Sequence, residues 1–208
     1  MNQATSTSKQ SSKAQTPQPH KNSAAGLFTL LDQQQILSAP PPLEWLLQDY
    51  ILKQSQCHLI GETTIGKTFF SVALALSIAT GRDFMGRPVS QGTVIYINAE
   101  GQTGMRYRVK AWEQEFGPFS NIPFYLSERS TNFLDLDHSV ANVAKSIDVI
   151  AKNHNGKIAA IFVDTLHRNM LGDENSSHDF GLFMANLDRL CQRYGATGIV
   201  NHHPGHSA

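Results

Sequence analysis

Cysteine is scarce in this chain: Cys57 and Cys191 are the only two in 208 residues. That is too few for a disulfide framework, and both fall inside predicted elements where buried, reduced thiols are expected. Excess charge of either sign is missing as well, because 17 Lys and Arg balance 17 Asp and Glu. A neutral chain has no global attraction to nucleic acid or to an anionic membrane, although a few basic loop residues would suffice for local contact. No apolar run approaches the roughly 20 residues of a membrane-crossing helix. The N-terminus is polar and has no apolar segment like that of a secretory leader. Together these absences predict a soluble, cytoplasmic protein without a membrane partner.

Apolar side chains are also missing from one end. Before Leu27 there is no Leu, Ile, Val or aromatic residue. Such a stretch cannot bury enough surface to offset its ordering entropy, so residues 1–41 are expected to be a disordered polar tail, with a short helix within 27–37. Pro40, Pro41 and Pro42 then stiffen the chain ahead of residues 43–47, which should pack on the edge of a core. With 208 residues there is room for one domain, here 42–208.

From Gln56 onward strands and helices alternate, the pattern of an α/β fold with a parallel sheet. Strands are expected at 57–60, 93–98, 124–126, 158–163 and 196–201, and helices at 69–79, 105–116, 139–153 and 180–194. Residues 158–163 are apolar without interruption, which predicts a strand buried on both faces. In the helices, Trp112 with Phe116, then Val140, Val143, Ile147 and Ile150, then Phe183, Leu187, Leu190 and Cys191 mark the faces turned to the core.

The most informative stretch is Gly61-Glu62-Thr63-Thr64-Ile65-Gly66-Lys67-Thr68, which fits the phosphate-binding pattern G-x-x-x-x-G-K-[ST]. Backbone N–H groups of such a loop face inward around phosphate oxygens, and the helix that follows turns its positive end to the anion. Lys67 would reach the β- and γ-phosphates of ATP, and the Thr68 hydroxyl would hold Mg²⁺. The alternative is a bland glycine turn, but a strand before and a helix after favour the nucleotide site. Glu62, Thr64 and Ile65 replace the glycines common in such loops, and the Glu62 carboxylate would repel phosphate mildly unless it faces solvent.

Ligands of open α/β sheets sit beyond the carboxyl ends of the strands, so the polar residues there are the next candidates. Asp164 ends the apolar strand, as a Walker B acid that orients Mg²⁺ and its waters would; the plainer reading is a strand-terminating turn. Glu100 follows the second strand and could polarise the attacking water, or simply start a helix. His202 and His203 close the last strand, where a side chain could meet the γ-phosphate. With His206 they also suggest zinc, but Cys191 is the sole further ligand nearby and is expected to face the core.

These segments in order, G-x-x-x-x-G-K-T, V-I-Y-I-N-A-E-G, I-F-V-D-T-L-H-R-N and V-N-H-H-P-G-H-S, resemble the RepA-like hexameric helicase branch of the RecA-type P-loop ATPases. The resemblance runs from about Pro42 to the end. It implies a RecA-like fold that hydrolyses ATP with Mg²⁺ in a homohexameric ring, acts on single-stranded DNA in plasmid or phage replication, and meets a primase or initiator. It further implies Glu100 as catalytic base, Asp164 as Walker B acid and His202 as γ-phosphate sensor, and puts residues 169–178 and those from Pro204 onward at the ring's channel. Arg168 is open between a subunit contact and a surface ion pair. A nucleotide-binding regulatory module without turnover, and a RecA-type recombination or repair ATPase, are the alternatives.

The chain ends at Ala208, before the further strand and the arginine finger that the resemblance leads one to expect. The sequence therefore predicts a C-terminally truncated domain with its last strand or strands missing and the loop-bearing strand at a sheet edge.

Overall fold

Short runs rich in Val, Ile and Phe set the centre of this fold. The computed structural model describes residues 30–38, 42–99, 101–155 and 157–203. Most of the expected tail, residues 1–29 and 39–41, and the segment from Pro204 lie outside them. The chain forms two compact units, 1–42 and 43–208. In the first, a helix α1 spans Gln33–Leu37 and begins with a capping box. Its Asp32 carboxylate accepts from Gln35 N at 2.8 Å, and the Gln35 side chain accepts from Asp32 N at 2.9 Å.

The second unit starts with an antiparallel pair, β1 (Trp45–Leu47) and β2 (Ile51–Leu52), joined by a turn in which Asp49 takes φ 66°. Leu46, Leu47 and Ile51 bury themselves in the core through it. The packing is the one expected of residues 43–47; the strands are too short to show an alternating pattern in the sequence.

Then come β3 (Gln56–Ile60), α2 (Lys67–Thr80), β4 (Val94–Asn98), α3 (Gln102–Phe116) and β5 (Phe124–Leu126). A π-helical turn (Leu136–Val140), α4 (Ala141–Lys152), β6 (Ala160–Asp164), a 3₁₀ turn (His167–Asn169), α5 (Ser177–Tyr194) and β7 (Thr197–His202) complete the order. Strands β3 to β7 make one parallel sheet in the order β3-β7-β6-β4-β5. This is the α/β architecture of a RecA-like P-loop domain. Among the described residues β3 pairs with β7 alone and forms an edge of the sheet, as the sequence predicts.

The two-residue alternation of the strands divides the core between the faces. Ile95, Ile97, Ile161, Val163 and Val200 pack with α4 and α5. Val94, Tyr96, Ala160, Phe162 and Ile199 pack with α2 and α3. β4 and β6 are buried along their whole length, as the apolar run 158–163 requires.

Two helices differ from expectation. In α3 the buried residues are Met105 and Trp112, whereas Phe116 is 45% exposed and covers the Trp112 ring edge at 4.8 Å between centroids. An apolar residue in a last turn meets little core, and here Arg82 lies over its outer face at 5.0 Å. The helix expected at 139–153 begins sooner, because Asp135 accepts hydrogen bonds from His138 N and Ser139 N and caps the π turn. Of the two thiols, Cys191 is buried, which pushes its pKa up to about 12, but Cys57 is only half-buried on the edge strand.

Candidate functional site

The same alternation, carried to the carboxyl ends of the strands, builds the site. Asn98, Asp164 and Asn201 stand in one register row across β4, β6 and β7. All three are buried, on the sheet face that packs against α2. Polar side chains in such a place need partners. Tyr96 donates its hydroxyl to Asp164 Oδ2 at 2.7 Å. Ser71 Oγ, in the second turn of α2, donates to Asn201 Oδ1 at 2.6 Å and lies 2.9 Å from Lys67 O. Asn201 Nδ2 is buried with no hydrogen-bond partner among the described residues.

Above this row lies the loop between β3 and α2. Gly66 adopts φ 96° and caps α2 without any side-chain hydrogen bond, so the first N–H groups of a 14-residue helix face outward with no side-chain cap. Thr64 takes φ 71°, a region that a β-branched residue occupies only under strain. Glu62 is exposed, which removes the repulsion its carboxylate would otherwise exert on an anion. A Cβ at Gly61 would meet the terminal methyl of the exposed Ile65 side chain, which would have to turn aside.

Lys67 closes the loop on itself. Its Nζ donates to Gly61 O at 2.6 Å and Glu62 O at 2.7 Å, and stands 3.0 Å from His203 Nδ1. An ammonium has no acceptor, so that ring nitrogen must be unprotonated and accept. Burial draws the Lys67 pKa below the ordinary lysine value, and the nearby Asp164 carboxylate pulls it back.

The structure thus brings together Lys67, Asp164 and the end of β7, and Thr68 follows Lys67 in the first turn of α2. Glu100, expected to be the base, lies outside the described residues; Ala99, just before it, donates its N–H to Asp164 O at 2.9 Å. His202 turns the other way. Its ring lies 6.1 Å from Phe180 on the opposite sheet face, and its Nδ1 is buried with no hydrogen-bond partner among the described residues. The contact with Lys67 comes from His203, because adjacent residues of an extended chain point to opposite faces. No motif gives Tyr96 or Asn201 a role; a Tyr two residues before a strand-end Asn, inside an apolar strand, is the signal the sequence offers for the first.

Burial lowers the pKa of His202, against the pull of Glu174, and that of His58, where His202 adds to the effect. A depressed histidine leaves the unfolded chain binding more protons just below the ordinary value. Stability from this pair is therefore full above about pH 6.5 and declines as the pH falls below it. The stabilisation from the hydrogen-bonded carboxylates of Asp135, Asp148 and Asp179, also depressed, is lost in a separate window near and below about pH 4. Urea unfolding midpoints are expected to drop between about pH 7.5 and 5.5, and to drop less in His58→Gln. Equal slopes for the two proteins would contradict this.

The donors available suit a small hard cation with phosphate. Asp164 and Thr68 offer oxygen ligands of the kind Mg²⁺ takes, and the unpaired Asn201 Nδ2 offers a donor to a phosphate oxygen or a metal-bound water.

A family described as AAA domain matches residues 21–208, and the chain belongs to that family. No curated protein matches it. Membership makes this a P-loop ATPase domain. No helix among the described residues is long and apolar enough to cross a membrane.

Proposed function

We propose, with the AAA domain as premise, that this chain is the ATP-hydrolysing motor of a ring-forming DNA helicase of the RepA-like branch, acting with Mg²⁺ in plasmid or phage replication. One observation carries the reading: the four motifs of the resemblance fall at neighbouring strand ends, after β3, β4, β6 and β7 of a single parallel sheet. A shared nucleotide requires that arrangement.

Each group then has a task. N–H groups of residues 61–68 receive the phosphate oxygens, and Lys67 exchanges its two carbonyl partners for the β- and γ-phosphates. Thr68 and Asp164 would hold Mg²⁺, which would supply charge neutralisation to the transferring phosphoryl group. Glu100 takes the proton of the attacking water. Resemblance assigns the γ-phosphate contact to His202; the distance to Lys67 Nζ favours His203.

Contact with DNA rests on the resemblance, since residues 169–178 carry Asp173 and Glu174 and little positive charge. The test is phosphate release by the full chain with and without single-stranded DNA, beside unwinding of a forked duplex. DNA is expected to raise turnover, and the fork to open. Nucleotide binding with no turnover under either condition would leave a regulatory module instead. Stimulated turnover without unwinding would favour a recombination or repair ATPase.

A further inference from the structure

We propose that Tyr96 is a positioning residue for the metal-holding acid, its hydroxyl fixing one carboxylate oxygen of Asp164 so that the other is presented to Mg²⁺ or its water. The inference rests on the reading of Asp164 as the Walker B acid and extends it into the sheet.

Geometry makes the case. Tyr96 and Phe162 are direct register partners on β4 and β6, and their rings stack at 5.4 Å with a 9° interplanar angle. Asp164 lies two residues beyond Phe162, the diagonal neighbour of Tyr96. A diagonal pair is too far apart for small side chains but within reach of an aromatic one lying along the strand. Stacking fixes the ring, and the ring delivers the hydroxyl to Oδ2 at 2.7 Å. The second oxygen, Oδ1, has no hydrogen bond among the described residues.

The environment sharpens the arrangement. Tyr96 is fully buried and Asp164 nearly so. Burial raises the Tyr96 pKa well above the ordinary tyrosine range, and the Asp164 charge and the hydrogen bond to it raise it further. Ser71, on the helix carrying the phosphate loop, sits beside the same hydroxyl and donates to Asn201 Oδ1 at 2.6 Å.

A tyrosine that merely filled the core would need only its ring. Tyr96→Phe keeps the ring and its stack and removes the one donor. The experiment titrates the full chain with a fluorescent ATP analogue, first in EDTA and then at increasing Mg²⁺, for the wild type and Tyr96→Phe, with thermal unfolding as a check on folding. In the wild type Mg²⁺ should tighten binding. In Tyr96→Phe the EDTA affinity should be unchanged, and the Mg²⁺ concentration giving half the effect should rise roughly tenfold, the worth of one hydrogen bond to a charged group. A wild type that responds to Mg²⁺ beside a variant with the same half-point would overturn the role of Tyr96 while leaving Asp164 as the acid. A wild type indifferent to Mg²⁺ would overturn both. Manganese relaxation of water protons in the nucleotide complex gives the metal affinity independently of the fluorophore, and the same tenfold weakening is expected there.

Discussion

Lys67→Ala is expected to weaken ATP binding by at least about a hundredfold, since two charge-assisted hydrogen bonds worth roughly 1.5–3 kcal/mol each disappear with the ammonium. The fold should survive. Lys67 sits at the loop's open side, and water can replace it at the carbonyls of Gly61 and Glu62 that it now holds. The loss is therefore one of recognition, not of structure. Lys67→Arg should recover part of the affinity, because it keeps the charge but spreads it over a planar fork that the tight loop does not match. Titration with the fluorescent analogue reads both variants. An affinity within a few-fold of wild type for Lys67→Ala would reject Gly61–Thr68 as the phosphate site.

Asp164→Asn should have the opposite profile, with binding preserved and turnover lost. The amide keeps the shape of the side chain and an oxygen for the Tyr96 hydroxyl, but it removes the charge that holds the metal. A loss of about 4 kcal/mol in stabilising the transferring phosphoryl group corresponds to roughly a thousandfold in rate. Nucleotide affinity in EDTA should stay near wild type or tighten, because a negative charge near the phosphates has gone. Stability should rise as well. Asp164 is 3% exposed, and a buried carboxylate is expensive to desolvate, so its neutral isostere is expected to melt higher. Phosphate release and thermal unfolding measured on one preparation check both halves. Wild-type turnover in Asp164→Asn would remove Asp164 from the metal site.

The sequence was most legible where local chemistry and tertiary position agree. The phosphate loop is encoded within eight consecutive residues, and the strand before it and the helix after it stand where its chemistry requires them. Residues 158–163 read as a doubly buried strand because nothing polar interrupts them before Asp164. Legibility failed where a partner distant in sequence decides the outcome. Phe116 continues the apolar stripe of α3, yet it is 45% exposed and meets only Trp112 and Arg82 among the aromatic and cationic contacts of the described residues. β1 and β2 exist through each other and through Leu47's bridge to Val89, which no window of either segment reveals.

The histidine pair makes the same point at the site. Strand alternation forces His202 and His203 to opposite faces, but only the frame of β7 decides which one meets Lys67. Ile199 and Asn201 on the α2 face fix that frame and give the contact to His203. Tyr96 was legible in principle, as a polar tip inside an apolar strand, but its partner lies 68 residues away.

The most direct test of the account is an equilibrium titration of the full wild-type chain with ATP, by calorimetry, once with Mg²⁺ and once with EDTA. Saturable binding at one site, tighter with Mg²⁺ than without, is the predicted result. No saturable heat with up to millimolar ATP, in Mg²⁺ as in EDTA, would contradict it.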